Sequence, residues 1–110
     1  MNITDIPYTK INWDEVRITK NSGESGYAWR RTFESGKIRI RLIEYSPDYI
    51  ADHWCCRGHV IHLLEGEMVF ELKDGLLIVL KRGMTWCMSD NSQNPHRSFT
   101  KTGAVLFIVD

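Results

Sequence analysis

Residues 57–83, RGHVIHLLEGEMVFELKDGLLIVLKRG, decide the fold. Arg57-Gly58 breaks the chain and the run His59–Glu67 follows. Gly66 marks a hairpin, after which Met68, Phe70 and Leu72 alternate with Val69, Glu71 and Lys73. That period of two belongs to strands and not to helices. Asp74-Gly75 is the strongest hairpin signal in the chain, because both central positions of a type I′ turn need positive φ. Residues 76–80, LLIVL, form the next strand, closed by the turn Lys81-Arg82-Gly83.

The same rhythm continues on both sides. Upstream, Ala28–Phe33 and Lys37–Tyr45 read as strands, and Ile38, Ile40 and Leu42 alternate with Arg39 and Arg41. The parity of Ile40 and Leu42 is therefore the expected inner face; Glu44 shares it and could orient a metal-bound histidine, but as a strand-end charge it is expected to reach solvent. Ser46-Pro47-Asp48 stops that strand, and another is expected over Ala51–Cys55. Downstream come TWCM (85–88), the loop 89–95, HRSFT (96–100), the turn Lys101–Gly103 and AVLFIV (104–109). About eight or nine short strands with closely spaced turns and no helical stripe mean an all-β sandwich or barrel. Residues 1–26 have weak periodicity and end in the turn-rich NSGESG, so they are expected to form an N-terminal arm packed on a barrel of residues 27–110.

Composition narrows the function classes. A chain of 110 residues holds one domain, large enough to bury a core without staples. Fourteen basic side chains balance fourteen acidic ones, so no electrostatic footprint for nucleic acid or an anionic membrane is visible. The near-zero charge leaves self-association open. The first residues carry Asp5 and no apolar run, unlike a signal peptide, and AVLFIV is too short to span a bilayer. Three cysteines, two of them adjacent, make no disulfide framework. Reduced thiols and a cytoplasmic location are expected.

All four histidines fall between positions 53 and 96. His53 and Cys55, two apart on an expected strand, would share a face. Both are ligands for a borderline metal ion, as imidazole and thiolate. His59 follows Gly58, and His96 follows Asn94-Pro95 at the start of a later strand. His62, three residues after His59, faces the opposite way and reads as structural. Adjacent cysteines with His-x₂-His are too tight for a zinc finger. Cys56 and Cys87 are expected in packing, Glu65 and Glu67 in water, and Trp54 and Trp86 in core or interface. Tyr49 and Met88 are candidates to line the barrel mouth.

These residues resemble the cupin superfamily. Its first motif carries His-x-His, then Glu four residues on, in a strand ending Gly-Glu; its second begins with Gly, reaches a Pro and ends in His. HLLEGE (62–67) sets the register here, so the resemblance places His53 and Cys55 at the two histidine positions and His59 at that of the glutamate. GMTWCMSDNSQNPH (83–96) is similar to the second motif, with His96 as its histidine. The chain also resembles a narrower group, the DHCW-motif cupins, in EYSPDYIADHWC (44–55), RGHVIHLLEGE (57–67), KDG (73–75), KRGM (81–84), PHRS (95–98) and GAVLFIVD (103–110).

The resemblance implies a double-stranded β-helix or jelly-roll barrel and a divalent metal site of His53, Cys55, His59 and His96. It implies no reaction, because cupins include dioxygenases, isomerases, epimerases, decarboxylases, storage proteins and regulators. The usual site has three histidines and a glutamate. With Cys55 turned away, three histidines would resemble the iron sites of thiol dioxygenases; with Cys55 bound, sulfur favours zinc or copper over manganese. A small metalloenzyme, a small-ligand binding or sensing module, and a scaffold with a vestigial site all fit. A homodimer is expected, since cupins commonly pair through sheet edges and the arm could supply one.

Overall fold

The computed structural model describes residues 3–110. Its elements are a single 3-10 turn at Trp13–Glu15 and nine strands. These are β1 (Ile18–Ser22), β2 (Tyr27–Ser35), β3 (Ile38–Tyr45), β4 (Tyr49–Ile50), β5 (His59–Leu72), β6 (Leu77–Lys81), β7 (Thr85–Met88), β8 (His96–Thr100) and β9 (Ala104–Val109). Every strand pair is antiparallel. The order runs β1-β2-β3-β9-β5-β8-β4, with β6 and β7 also on β5. The fold is all-β and curled around one apolar core.

β5 is the strand on which the barrel turns. Its first half pairs with β7 and β9, its second half with β6 and β8. The expected hairpin at Gly66 is therefore a corner inside one fourteen-residue strand. Gly66 has φ +81°, and the oxygen of Gly103 occupies the space a Cβ would need. A register shift between Leu63 and Glu65 adds the extra residue. Before it, His59, Ile61 and Leu63 are buried; after it, Met68 and Phe70 are. The bulge thus exchanges the parity, which keeps apolar side chains inside both sheets. The turn at Asp74-Gly75 lies where expected with a different geometry. Only Gly75 has positive φ, and its N–H donates to the Leu72 carbonyl at 2.9 Å, as in a type I turn closed by a left-handed glycine.

Ile43, Ile61, Leu63, Met68 and Leu106 fill the centre, each essentially free of solvent. Each such side chain contributes about 1.5–3 kcal/mol of hydrophobic stabilisation. Of the expected arm, residues 1 and 2 lie outside the described residues. Ile18–Ser22 forms the exposed edge strand on β2, and Trp13 meets Phe107 edge-on at 6.5 Å.

That contact explains a reversal in β3. Ile43 and Tyr45 are buried and Glu44 is exposed, so the inner face carries Arg39, Arg41, Ile43 and Tyr45. Ile40 and Leu42 face outward, where Leu42 stands opposite Phe107, the ring that Trp13 meets. Covered apolar residues outside the barrel imitate the signature of a core face. Two further expectations are corrected. Residues 51–58 form a loop, with only Cys55 bridged to a strand, so His53 and Cys55 share no strand face. Cys56 and Cys87 are exposed and not packed; Cys87 points out of β7 between the inward Trp86 and Met88.

Candidate metal centre

The site forms where three segments end at the same mouth. Cys55 and His96 exchange both backbone hydrogen bonds, at 2.7 and 3.0 Å, which sets the two residues directly opposite. His96 opens β8 after Pro95, which holds the preceding backbone extended. His59 opens β5 after Gly58, where a Cβ would lie 2.7 Å from the Met88 carbonyl oxygen. The Gly58 N–H donates to Asp90 Oδ1 at 2.6 Å. Those close approaches bring His59 down against the β7 end. As a result Cys55, His59 and His96 each offer a ligand atom within 4.8 Å of the others.

His53 is not part of that group. Its side chain is 62% exposed, and its Nδ1 meets Asp52 Oδ1 at 2.8 Å. It lines the rim of the same cavity. His62 points outward to Thr85 Oγ1 at 2.8 Å, in keeping with a structural role. Tyr49 lines the cavity; Met88 lies behind it, accepting the His59 N–H through sulfur at 3.2 Å. Trp54 faces Lys73 and Arg97, with the Lys73 ammonium 4.0 Å from its ring centroid. Trp86 packs on Phe70 and meets His96 edge-on at 5.4 Å.

Sequence reasoning passed over the residue that organises the centre. Asp110 continues the buried parity of Ala104, Leu106 and Ile108, and its side chain is 1% exposed. Arg39 grips it with two hydrogen bonds of 2.9 Å, and Arg41 donates to Oδ2 at 2.9 Å. Burial pushes the carboxyl's pKa up, but the Arg39 hydrogen bonds and the charges of Arg41 and Arg39 outweigh it, bringing it to about 2. An ionised Asp110 can only accept, so the 2.8 Å contact with His59 Nδ1 is a donation from the ring. His59 Nε2 then carries the lone pair, aimed at Cys55 Sγ 3.3 Å away.

Burial lowers the pKa of His59 despite Asp110, and burial with the neighbouring His59 and His53 lowers that of His96 to about 4. Both imidazoles are neutral at pH 7, the state in which histidine binds a cation. The donor set fits a borderline transition ion: one sulfur, two imidazoles and a carboxylate that fixes the tautomer of one of them. Beside it lies a cavity of about 420 Å³, lined by Arg30, Arg39, Arg41, Tyr45, Tyr49 and Ile61 among others.

No family model and no curated protein matches the sequence. Solved structures do match. A polyketide cyclase from Streptomyces resistomycificus superposes with a TM-score of 0.76 at 18% identity, over 94% of this chain and 78% of that one. An RmlC-like cupin from Shewanella frigidimarina gives 0.71 at 17% identity, over 96% and 92%. A sugar phosphate isomerase from a cupin superfamily, of Silicibacter pomeroyi, gives 0.70 at 14%, over 92% and 74%. The chain has the cupin fold. The narrower likeness to DHCW-motif cupins rests on the sequence stretches alone.

Proposed function

We propose that this chain is a small metal-binding cupin that holds one transition-metal ion on Cys55, His59 and His96 and takes a small molecule into the adjoining cavity. The observation that carries this reading is the convergence of those three donors within 4.8 Å, one of them oriented by Asp110. His53 is the fourth donor of the reading: Asp52 holds its Nδ1, which leaves Nε2 free to join from the rim. Sulfur in the set favours zinc or copper over manganese. Such an ion would supply Lewis-acid polarisation to an oxygen of the bound molecule. Asp110 keeps the His59 lone pair directed inward, while Ile61, Leu106 and Ile108 give the cavity a dry wall.

Metal analysis of protein purified without added metal tests the reading, with about one ion per chain expected. Occupancy far below one, restored by neither iron nor zinc, removes it. Cys55→Ser is expected to weaken zinc by about 10–100-fold, and His53→Ala by less. Unchanged affinity in Cys55→Ser excludes the thiolate.

The polar lining away from the three donors, Arg30 and Tyr49 included, favours a second reading as a non-catalytic binding or sensing module. Turnover screened as oxygen consumption or product formation separates the two. We further propose a cytoplasmic homodimer, with the exposed β1 edge as the pairing element. Light scattering returning a monomer mass at working concentration counts against the dimer.

A further inference from the structure

The inner faces of β2 and β3 carry more positive charge than they neutralise. Arg30, Arg39, Arg41 and Arg97 all line the cavity. Arg39 is taken by Asp110 through both of its hydrogen bonds. Arg97 is matched in charge by Glu71 at 3.0 Å and Glu24 at 3.5 Å and lies against Trp54, although its buried Nε also has no hydrogen-bond partner among the described residues. Arg30 and Arg41 are left. Arg41 gives one nitrogen to Asp110, while its buried Nε has no hydrogen-bond partner among the described residues. Arg30 donates to the neutral amide oxygen of Asn21 at 2.9 Å and meets no carboxylate among the described residues.

The two are neighbours. Arg30 stands opposite Ile43 and Thr32 opposite Arg41, so Arg30 and Arg41 lie on a diagonal of one strand pair. Diagonal neighbours are about 7–8 Å apart at the backbone, a span that one small anion bridges. A buried N–H without an acceptor costs stability, and two like charges on one cavity wall add repulsion. Both costs disappear when an anion enters.

We propose that Arg30 and Arg41 form the recognition site for the carboxylate of a small monocarboxylic acid, whose remaining atoms extend towards Cys55, His59 and His96. The charge count selects the monoanion. On this wall Arg30, Arg39 and Arg41 have two carboxylates near them, Asp110 in their ion pairs and Glu34 opposite Arg39, while Arg97 is already covered by Glu71 and Glu24, which leaves one positive charge over. Position selects the direction. Arg41 and His59 share the same oxygen of Asp110, at 2.9 and 2.8 Å, so an anion on Arg41 sits beside the three donors. The floor is Tyr45 packed against Tyr49, with ring centroids 4.5 Å apart and the planes tilted by 44°. The inference deepens the proposed function and rests on its reading of this cavity as the ligand site.

The test is ¹⁵N NMR of the arginine Nε–H groups during titration with acetate, lactate and pyruvate, with lactamide and inorganic phosphate as comparators. It is run on zinc-loaded and on chelator-treated protein, with metal content measured separately. Saturable shifts of the Arg30 and Arg41 Nε–H signals by a monocarboxylate are expected, and lactamide should produce none. Arg30→Gln keeps a donor for Asn21 and should weaken binding at least about tenfold, the cost of one lost charge-assisted hydrogen bond. Arg82→Gln, on the exposed turn after β6, should leave it unchanged.

Three results overturn the inference: no saturable shift with any monocarboxylate, binding of lactamide as tight as lactate, or phosphate outcompeting all three acids. The wild-type shifts decide the matter even if Arg30→Gln fails to fold. Carboxylate binding by protein that takes up no metal would leave this inference standing and remove the metal centre. Metal uptake without carboxylate binding does the reverse.

Discussion

Replacing Asp110 with asparagine removes one charge without changing the side chain's shape, and the consequences can be worked from its partners. The native carboxylate is 1% exposed and accepts from Arg39, Arg41 and His59. Asparagine offers one oxygen and places an NH₂ where the other stood, so at least one guanidinium meets a donor. Breaking a buried ion pair from one side costs about 3–5 kcal/mol, because the surviving charge stays behind. Arg41 is 13% exposed and cannot turn to water; Arg39, at 29%, recovers part of its hydration. The lower end, about 3 kcal/mol, is therefore expected for metal-free protein. Against a total of about 5–15 kcal/mol, that loss is large and still permits folding. With a urea slope of about 1–3 kcal/mol/M, the midpoint should fall by at least about 1 M. The same substitution frees His59 to choose either tautomer, and zinc affinity should drop about 10–100-fold. Urea titration with chelator present, then competition for zinc with a chelating dye, separates the two effects. An unchanged midpoint would refute the account of Asp110 as the counter-charge that makes the arginines tolerable. A lowered midpoint with native zinc affinity would refute its role in orienting His59.

Other expectations follow from the same interior. In chelator-treated protein the unfolded chain binds a proton near pH 6.5 that native His96 refuses until about 4, so stability should fall between those values by on the order of 3 kcal/mol. His96→Gln should flatten the urea midpoint over that window, and a profile identical to wild type would be wrong for a buried neutral imidazole. The Asp110 contribution is complete above about pH 4 and is lost only as pH falls towards 2, so acid unfolding should show this second, later phase. Gly66→Ala should destabilise more than Gly75→Ala. Both have positive φ, but only at Gly66 does backbone occupy the space of the new Cβ, and equal urea midpoints would contradict that.

The sequence made the strands legible because alternation and turn residues are local properties. The run from Met68 to Leu72, the turn at Gly75 and the strands opening at His59 and His96 all follow from neighbours a few residues away. Faces are a different matter. The parity of β3 depended on what lies on its outer side, and there Trp13, far back in the chain, packs on Phe107 of the neighbouring strand. The corner at Gly66 depended on the approach of Gly103, equally distant. For the site, the motif register pointed to Cys55, His59 and His96, which come together, and to His53, which stays at the rim. Asp110 was within reach of the same alternation that places Ala104, Leu106 and Ile108 inside. It was missed because a carboxylate at that position looks like a solvated strand end until two arginines are known to face it.

The placement of those arginines is itself an argument about function. Along β2, β3 and β9 the inner positions grade from Glu34, Arg39 and Asp110 at one end to Ala28, Tyr45 and Ala104 at the other. Three neighbouring strands thus agree on one polar mouth and one apolar floor. A core selected for stability alone gains nothing from this, since a buried ion triad can be exchanged for packed apolar side chains at no loss or with a gain. The arginines cost desolvation, and Arg41 keeps an unmatched N–H inside the protein. Asp110 offsets part of that cost and at the same time turns the free lone pair of His59 towards Cys55. One carboxylate therefore ties the positive wall of the cavity to the group of three donors. On the proposed reading, a molecule entering between them would be held at one end by charge and presented at the other to sulfur and imidazole.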